Sequence, residues 1–190
     1  MTSGSAGWRV CGIALGVAMA LTGCDSSVNE SGGAPGDPAE GNSDIAAEVP
    51  AGFDPCKDMP QTVLDSEDLG MKSVDDSNSS GGIKWRGCNW IQPDGYVAGV
   101  QVTNITVDMV RSRDLSDMRE FAIDGRSAIS TRQVDAHPEA ACTLNVEMHG
   151  GSLEFNLSNP SSSKKTGHLD TCELTRALAE QVVPAIPAGK

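Results

Sequence analysis

The sequence predicts an α+β domain: a mostly antiparallel sheet, packed with an N-terminal and a C-terminal helix and braced by two disulfides. Three observations predict it. Between residues 84 and 157, apolar and polar residues alternate in short runs bounded by turn residues, the period of half-buried strands. Asp170, with Glu173 three residues on, forms a capping box ahead of Cys172, Leu174, Ala177, Leu178, Val182 and Val183, a helical stripe. Cys56, Cys88, Cys142 and Cys172 form an even set with gaps of roughly thirty residues or more. Structural zinc sites bring their thiolates in close pairs, so these four read as cystines of an oxidising compartment.

Residues 1–23 have the parts of an export signal. Arg9 charges the first region, and an apolar run follows from about Val10 to Leu21 through Ile13, Leu15, Val17 and Met19. That run is shorter than the ~20 residues of a membrane-spanning helix. Leu21-Thr22-Gly23-Cys24 closes it and resembles the lipobox of bacterial lipoproteins. The resemblance implies cleavage before Cys24 and a diacylglycerol thioether on its sulfur; were the signal cut elsewhere, Cys24 would stay an ordinary thiol. One arginine argues against twin-arginine export. Two acyl chains, at ~0.8 kcal/mol per buried methylene, hold a protein stably to a bilayer. The expectation is a chain anchored at Cys24 to the extracytoplasmic face of the cell membrane, tethered and not threaded through it.

The elements follow in order. Residues 24–52, after the lipidated cysteine, are Ser, Gly, Ala, Pro, Asp, Asn and Glu with almost no bulky apolar side chain. Such a stretch cannot repay its ordering entropy and reads as a stalk spanning roughly 30 Å. One domain follows over residues 53–187. Asp54-Pro55 is an N-cap with proline in the first turn, opening a helix interrupted at Pro60 and ending near Leu64. Ser73 to Gly82 is a polar, Gly-rich loop. Lys84–Gln92 and Tyr96–Val107 read as strands around a turn at Pro93-Asp94-Gly95, and Leu115–Ala122 as a short helix ended by Asp124-Gly125. Ser127–Val134 and Ala141–Met148 read as strands, and His149-Gly150-Gly151-Ser152 as the turn into Leu153–Leu157. Asn159 to His168 is a polar loop before the capped last helix.

These residues carry a family resemblance over about residues 53–183. A lipobox, a stalk, Phe53-Asp54-Pro55-Cys56, Cys88-Asn89-Trp90 and two further cysteines, the last opening the terminal helix, resemble the DUF3558 lipoproteins of actinobacteria. The resemblance implies an exported, lipid-anchored α+β domain akin to the Mog1/PsbP-like sandwich, and it lends no catalytic residues. Cys88 and Trp90, two apart on a strand, share a face. Four cysteines allow three connectivities, and sequence alone does not choose. Within the resemblance, the preferred pairing is Cys56 with Cys88 and Cys142 with Cys172, each tying one helix to the sheet. The rival joins Cys56 to Cys172 and Cys88 to Cys142.

Composition narrows the function. The formal charge is −12, and removal of Arg9 with the signal takes it to −13. An acidic surface of that size repels nucleic acid and anionic headgroups. Candidate chemistry is thin. His137, His149 and His168 have no i, i+4 partner, and no metal site is expected of them. Asp76-Ser77-Asn78-Ser79-Ser80-Gly81 starts like an EF-hand loop, but position twelve is Gly87 where a bidentate Glu belongs. Ser161-Ser162-Ser163-Lys164-Lys165 contains Ser-x-x-Lys twice, without the separate strand elements such nucleophiles need. Asp65, Glu67 and Asp68 cluster beside a helix end as a solvated surface. The sequence therefore predicts no cofactor, no enzymatic activity and a lipoprotein of the cell envelope that binds an envelope protein or a small ligand. The alternatives are a carrier or sensor of an apolar molecule held between helix and sheet layers, and, less favoured, an envelope hydrolase.

Overall fold

A computed structural model describes residues 45–132 and 137–188. The export signal, Cys24 and the stalk as far as residue 44 lie outside the described residues, as does the expected strand end at Val134. The predicted class is the observed one: an eight-stranded antiparallel sheet, a C-terminal helix and two disulfides.

The first turn of helix, α1 (Pro55–Asp58), is capped by Asp54, whose side chain accepts from the Cys56 N–H. Pro60 separates it from α2 (Gln61–Ser66), the predicted interruption. Strands β1 (Gly70–Val74) and β2 (Ser77–Asn78) follow, both paired with β3 (Lys84–Ile91). The expected loop from Ser73 to Gly82 is thus corrected: Val74 pairs with Cys88, and Ser77-Asn78 with Trp85 and Lys84. Polar side chains there reflect an exposed sheet edge, not absence of a strand.

Asp94, at φ 57°, turns β3 into β4 (Val97–Thr103). The chain then forms α3 (Val107–Arg111), capped by the Thr106 hydroxyl, where a strand end was expected. The helix expected over Leu115–Ala122 is instead β5 (Arg119–Ile123). Asp124 and Gly125, at φ 48° and 75°, form the positive-φ turn that a tight hairpin requires and lead into β6 (Arg126–Thr131). A dipeptide read as a helix end is a hairpin turn. Strands β7 (Ala141–Met148) and β8 (Gly151–Ser158) form the predicted hairpin, and α4 (Thr171–Val182) starts where Asp170 caps the Cys172 and Glu173 N–H groups.

The strand order is β1-β3-β4-β8-β7-β6-β5, with β2 on β3. Its register decides what each face carries. Trp90, Ala98, Leu157 and Cys142 lie in one row across the sheet, and Cys88, Val100, Phe155 and Leu144 in the next. This face meets Leu178, Ala179, Val182 and Val183 from the C-terminal helix and Phe53, Met59 and Val63 from the N-terminal segment, giving the main core. Cys56–Cys88 and Cys142–Cys172 are bonded, the preferred pairing, and each joins a helix to a strand of this face.

Packed chain begins before Phe53. Pro50 is buried, Val49 leans on the core, Lys84 Nζ pairs with Glu48 at 2.7 Å, and Asn104 Nδ2 donates to the Ala46 carbonyl at 2.7 Å. Glycine at 151 permits this. A Cβ there would lie 2.0 Å from the Thr103 carbonyl oxygen and 2.9 Å from the Pro50 ring.

Candidate functional site

The second face of the sheet is polar where a core would be apolar. Rows of Asn89, Gly99, Asn156 and Thr143, and of Gly87, Gln101, Glu154 and Asn145, run across β3, β4, β8 and β7. Alternation alone puts these side chains opposite the core. Over β7 and β8 these side chains face the chain between Ile105 and Leu115, whereas Asn89 and Gln101 donate to Asp75. Ile105, Val107 and Val110 pack with Ile129 into a second apolar cluster, flanked by Ile83, Trp85, Met109 and Leu115.

Between this cover and the sheet lies a groove of about 450 Å³. Trp85, Ile105, Val110 and Leu115 form its apolar wall; Thr131, Thr143, Asn145, Glu154 and Asn156 form its floor, and Arg113 and Arg132 its mouth. Glu154 is 8% exposed. Its two oxygens accept from Asn145 Nδ2 at 3.0 Å and Asn156 Nδ2 at 2.7 Å. The network continues outward: the Thr143 hydroxyl donates to Asn156 Oδ1 at 2.7 Å, and Asn145 Nδ2 also reaches Ser152 Oγ at 3.0 Å. No ion pair reaches Glu154 among the described residues. Buried carboxylates are costly unless paired or fully hydrogen-bonded. A carboxylate held by amides alone at the floor of an open groove is a feature that folding by itself does not require.

A second groove, of about 680 Å³, lies where the segment from Val49 to Asp58 crosses Val74, Asp76, Arg86, Gly87 and Val102. Its lining combines Val49, Pro50, Phe53, Val74 and Val102 with charged side chains, among them Asp54, Asp76 and Arg86. Arg86 is engaged by the Ser77 and Trp85 carbonyl oxygens and by Asn78 Oδ1.

The residues singled out in the sequence take other parts. His137, His149 and His168 are all exposed, and no group of three or more His, Cys, Asp or Glu side chains that could hold a metal forms among the described residues. Asp76 Oδ1 accepts from the Gly87 N–H and Asn78 Oδ1 from Arg86, so the EF-hand-like stretch spends these oxygens inside the sheet edge. Ser163 Oγ donates to the Gly95 carbonyl, Lys165 pairs with Asp68 at 2.7 Å and Lys164 with Asp94 at 3.7 Å. The Ser-x-x-Lys tract therefore fastens a loop to the β3–β4 turn. Of the carboxylate cluster, Asp65 accepts from Gln61, and Glu67 accepts from the Gln181 amide and the Tyr96 hydroxyl. Burial, and then Glu67, push the Tyr96 hydroxyl well above its ordinary pKa.

Sequence reasoning did not single out Glu154, Asn145 or Trp85. Leu153-Glu154-Phe155-Asn156-Leu157 reads as a strand with a solvated polar face, and only the covering segment, brought over from Ile105 to Leu115, buries it.

A family model described as "Protein of unknown function (DUF3558)" matches residues 19–185. No curated protein and no solved structure matches the chain.

Proposed function

The chain belongs to the DUF3558 family, and from that premise we propose that it is a non-enzymatic binding module. In this reading a lipid on Cys24 tethers it to the outer face of the cell membrane, and the groove over the second sheet face receives a small ligand. The tether is supported by the apolar run ending in Leu21-Thr22-Gly23-Cys24 and by the polar stretch behind it, long enough for the domain to sample its surroundings. Binding is supported above all by one observation: Glu154, nine-tenths buried and without a cationic partner among the described residues, at the floor of a groove with an indole wall.

A second reading, a carrier of an apolar molecule, is favoured by the larger groove beside Phe53 and Val102. The space between the layers gives it no support: Trp90 is 1% exposed within the main core cluster.

Photocrosslinking of the full chain in its own cells tests the proposal. A photoreactive side chain at Leu115, in the groove, is compared with one at the exposed Met71 on β1. The expected result is a light-dependent adduct from position 115 in the membrane fraction, lost with Trp85→Ala, and a chain in that fraction that begins at Cys24 and carries the mass of a diacylglycerol, absent from Cys24→Ser. Adducts from position 71 alone would overturn the choice of site, and an unlipidated Cys24 would overturn the tether.

A further inference from the structure

We infer that the groove beneath Trp85 takes an organic ammonium ion, its charged head between Glu154 and the Trp85 indole and its apolar body against Val110 and Leu115. This rests on the groove being the binding site and names the chemistry it selects. The floor is the first reason. Asn145 Nδ2 and Asn156 Nδ2 are both turned onto Glu154, and the Thr143 hydroxyl is spent on Asn156 Oδ1. Both Asn145 N–H groups, one Asn156 N–H and the Thr143 hydroxyl are used inside the floor, whereas a carboxylate offers about four acceptor positions and only two are taken. Such a floor reads donors, and an ammonium has three N–H groups and no acceptor. A neutral polyol would leave its own oxygens short of donors.

Charge is the second reason. Arg132, at the mouth, is already held by Asp117 and Asp170, and among the described residues neither it nor the exposed Arg113 forms an ion pair with Glu154. Glu154 is therefore a buried carboxylate that a ligand cation would compensate. The chain's net charge of −12 draws cations toward the whole molecule. The indole is the third reason, since an ammonium beside an aromatic face gains attraction that a neutral group does not. A cavity of about 450 Å³ suits a small organic molecule.

The test is titration of the Cys24→Ser chain with phenethylammonium, its neutral isostere phenethyl alcohol and the anion 3-phenylpropanoate. It is followed by NMR of the Trp85 indole and the Asn145 and Asn156 side-chain amides. Saturable shifts of all three with the ammonium are expected, weakened about tenfold or more by Glu154→Gln. Should Glu154→Gln lose the folded spectrum, Trp85→Leu carries the test, weakening the ammonium several-fold more than the alcohol. Equal binding of alcohol and ammonium, preference for the propanoate, or binding indifferent to these substitutions would overturn the ammonium assignment. If no probe moves these signals while crosslinking from position 115 succeeds, the ligand class fails and the groove stands. If crosslinking fails and the ammonium still binds through Glu154, the groove's chemistry holds and its use in the cell does not.

Discussion

Asp170 does two things with one carboxylate. Its Oδ1 accepts the Cys172 and Glu173 N–H groups at the start of α4, and its Oδ2 meets Arg132, which also pairs with Asp117 at 2.9 Å. Burial works to raise the Asp170 carboxyl; the Glu173 N–H, Arg132 and the Cys172 N–H outweigh it, and its pKa lies below the ordinary 3.8. Arg132 likewise holds the Asp117 carboxyl below its usual range, against the opposing effect of burial. A carboxyl depressed in the folded state contributes stability that is present above its unfolded pKa and lost as pH falls through the folded one. Asp170→Asn, which keeps a capping oxygen and loses the charge, is expected to cost about 1 kcal/mol or less at pH 7, since the Asp170 side chain is about half exposed. The gap to the unmodified chain should close as the pH drops below 3.8. Urea unfolding from pH 7 to pH 2.5 measures it; a gap that stays constant with pH would assign the effect to capping alone. The Asp170 cap was legible because capping is local, whereas the Arg132 pair was not, because it joins residues 38 positions apart.

At the scale of elements, the two cystines divide the labour of holding helices to the sheet. A four-residue helix such as α1 does not stand alone, and Cys56–Cys88 fixes it to β3. The longer α4 has its own apolar stripe, with Leu178, Ala179 and Val182 buried, and Cys142–Cys172 adds a closed loop with a sequence separation of 30. Replacing Cys142 and Cys172 together by alanine is expected to cost about 3–4 kcal/mol through unfolded-state freedom. The urea midpoint at pH 7 reads this directly, and a cost under about 1 kcal/mol would put the burden on the helix stripe. The sequence read α4 correctly because cap and periodicity agree there. It misread the stretch around Leu115 because local signals conflict: Leu115 turns into the second cluster, while Arg119, Phe121 and Ile123 share the other face of an edge strand. Likewise Val107, the end of the expected strand Tyr96–Val107, opens α3 once Thr106 caps it, with Val110 buried beside it one turn on.

The whole molecule includes more of the chain than its composition suggests. Residues 46–50 have the character of the polar tract before them, yet Pro50 is buried and Asn104, fully buried, binds the Ala46 carbonyl. A chain beginning at Phe53 is therefore expected to be less stable than one beginning at residue 45 by about 2–3 kcal/mol, from lost apolar burial and the Ala46–Asn104 hydrogen bond. Equal urea midpoints for the two chains would show that this strap contributes nothing.

The sequence by itself determined the fold class, the sheet's core face, the terminal helix and the four cysteines as cystines. Each of these is written in short-range periodicity, capping or counting. Tertiary structure alone decided the pairing of those cysteines, the exchange of helix and strand between Val107 and Ile123, and the groove over Glu154. Glu154 is an ordinary outward residue of β8 until the chain from Ile105 to Leu115 covers it, and that contact depends on a chain reversal between β4 and β5 that local alternation does not encode.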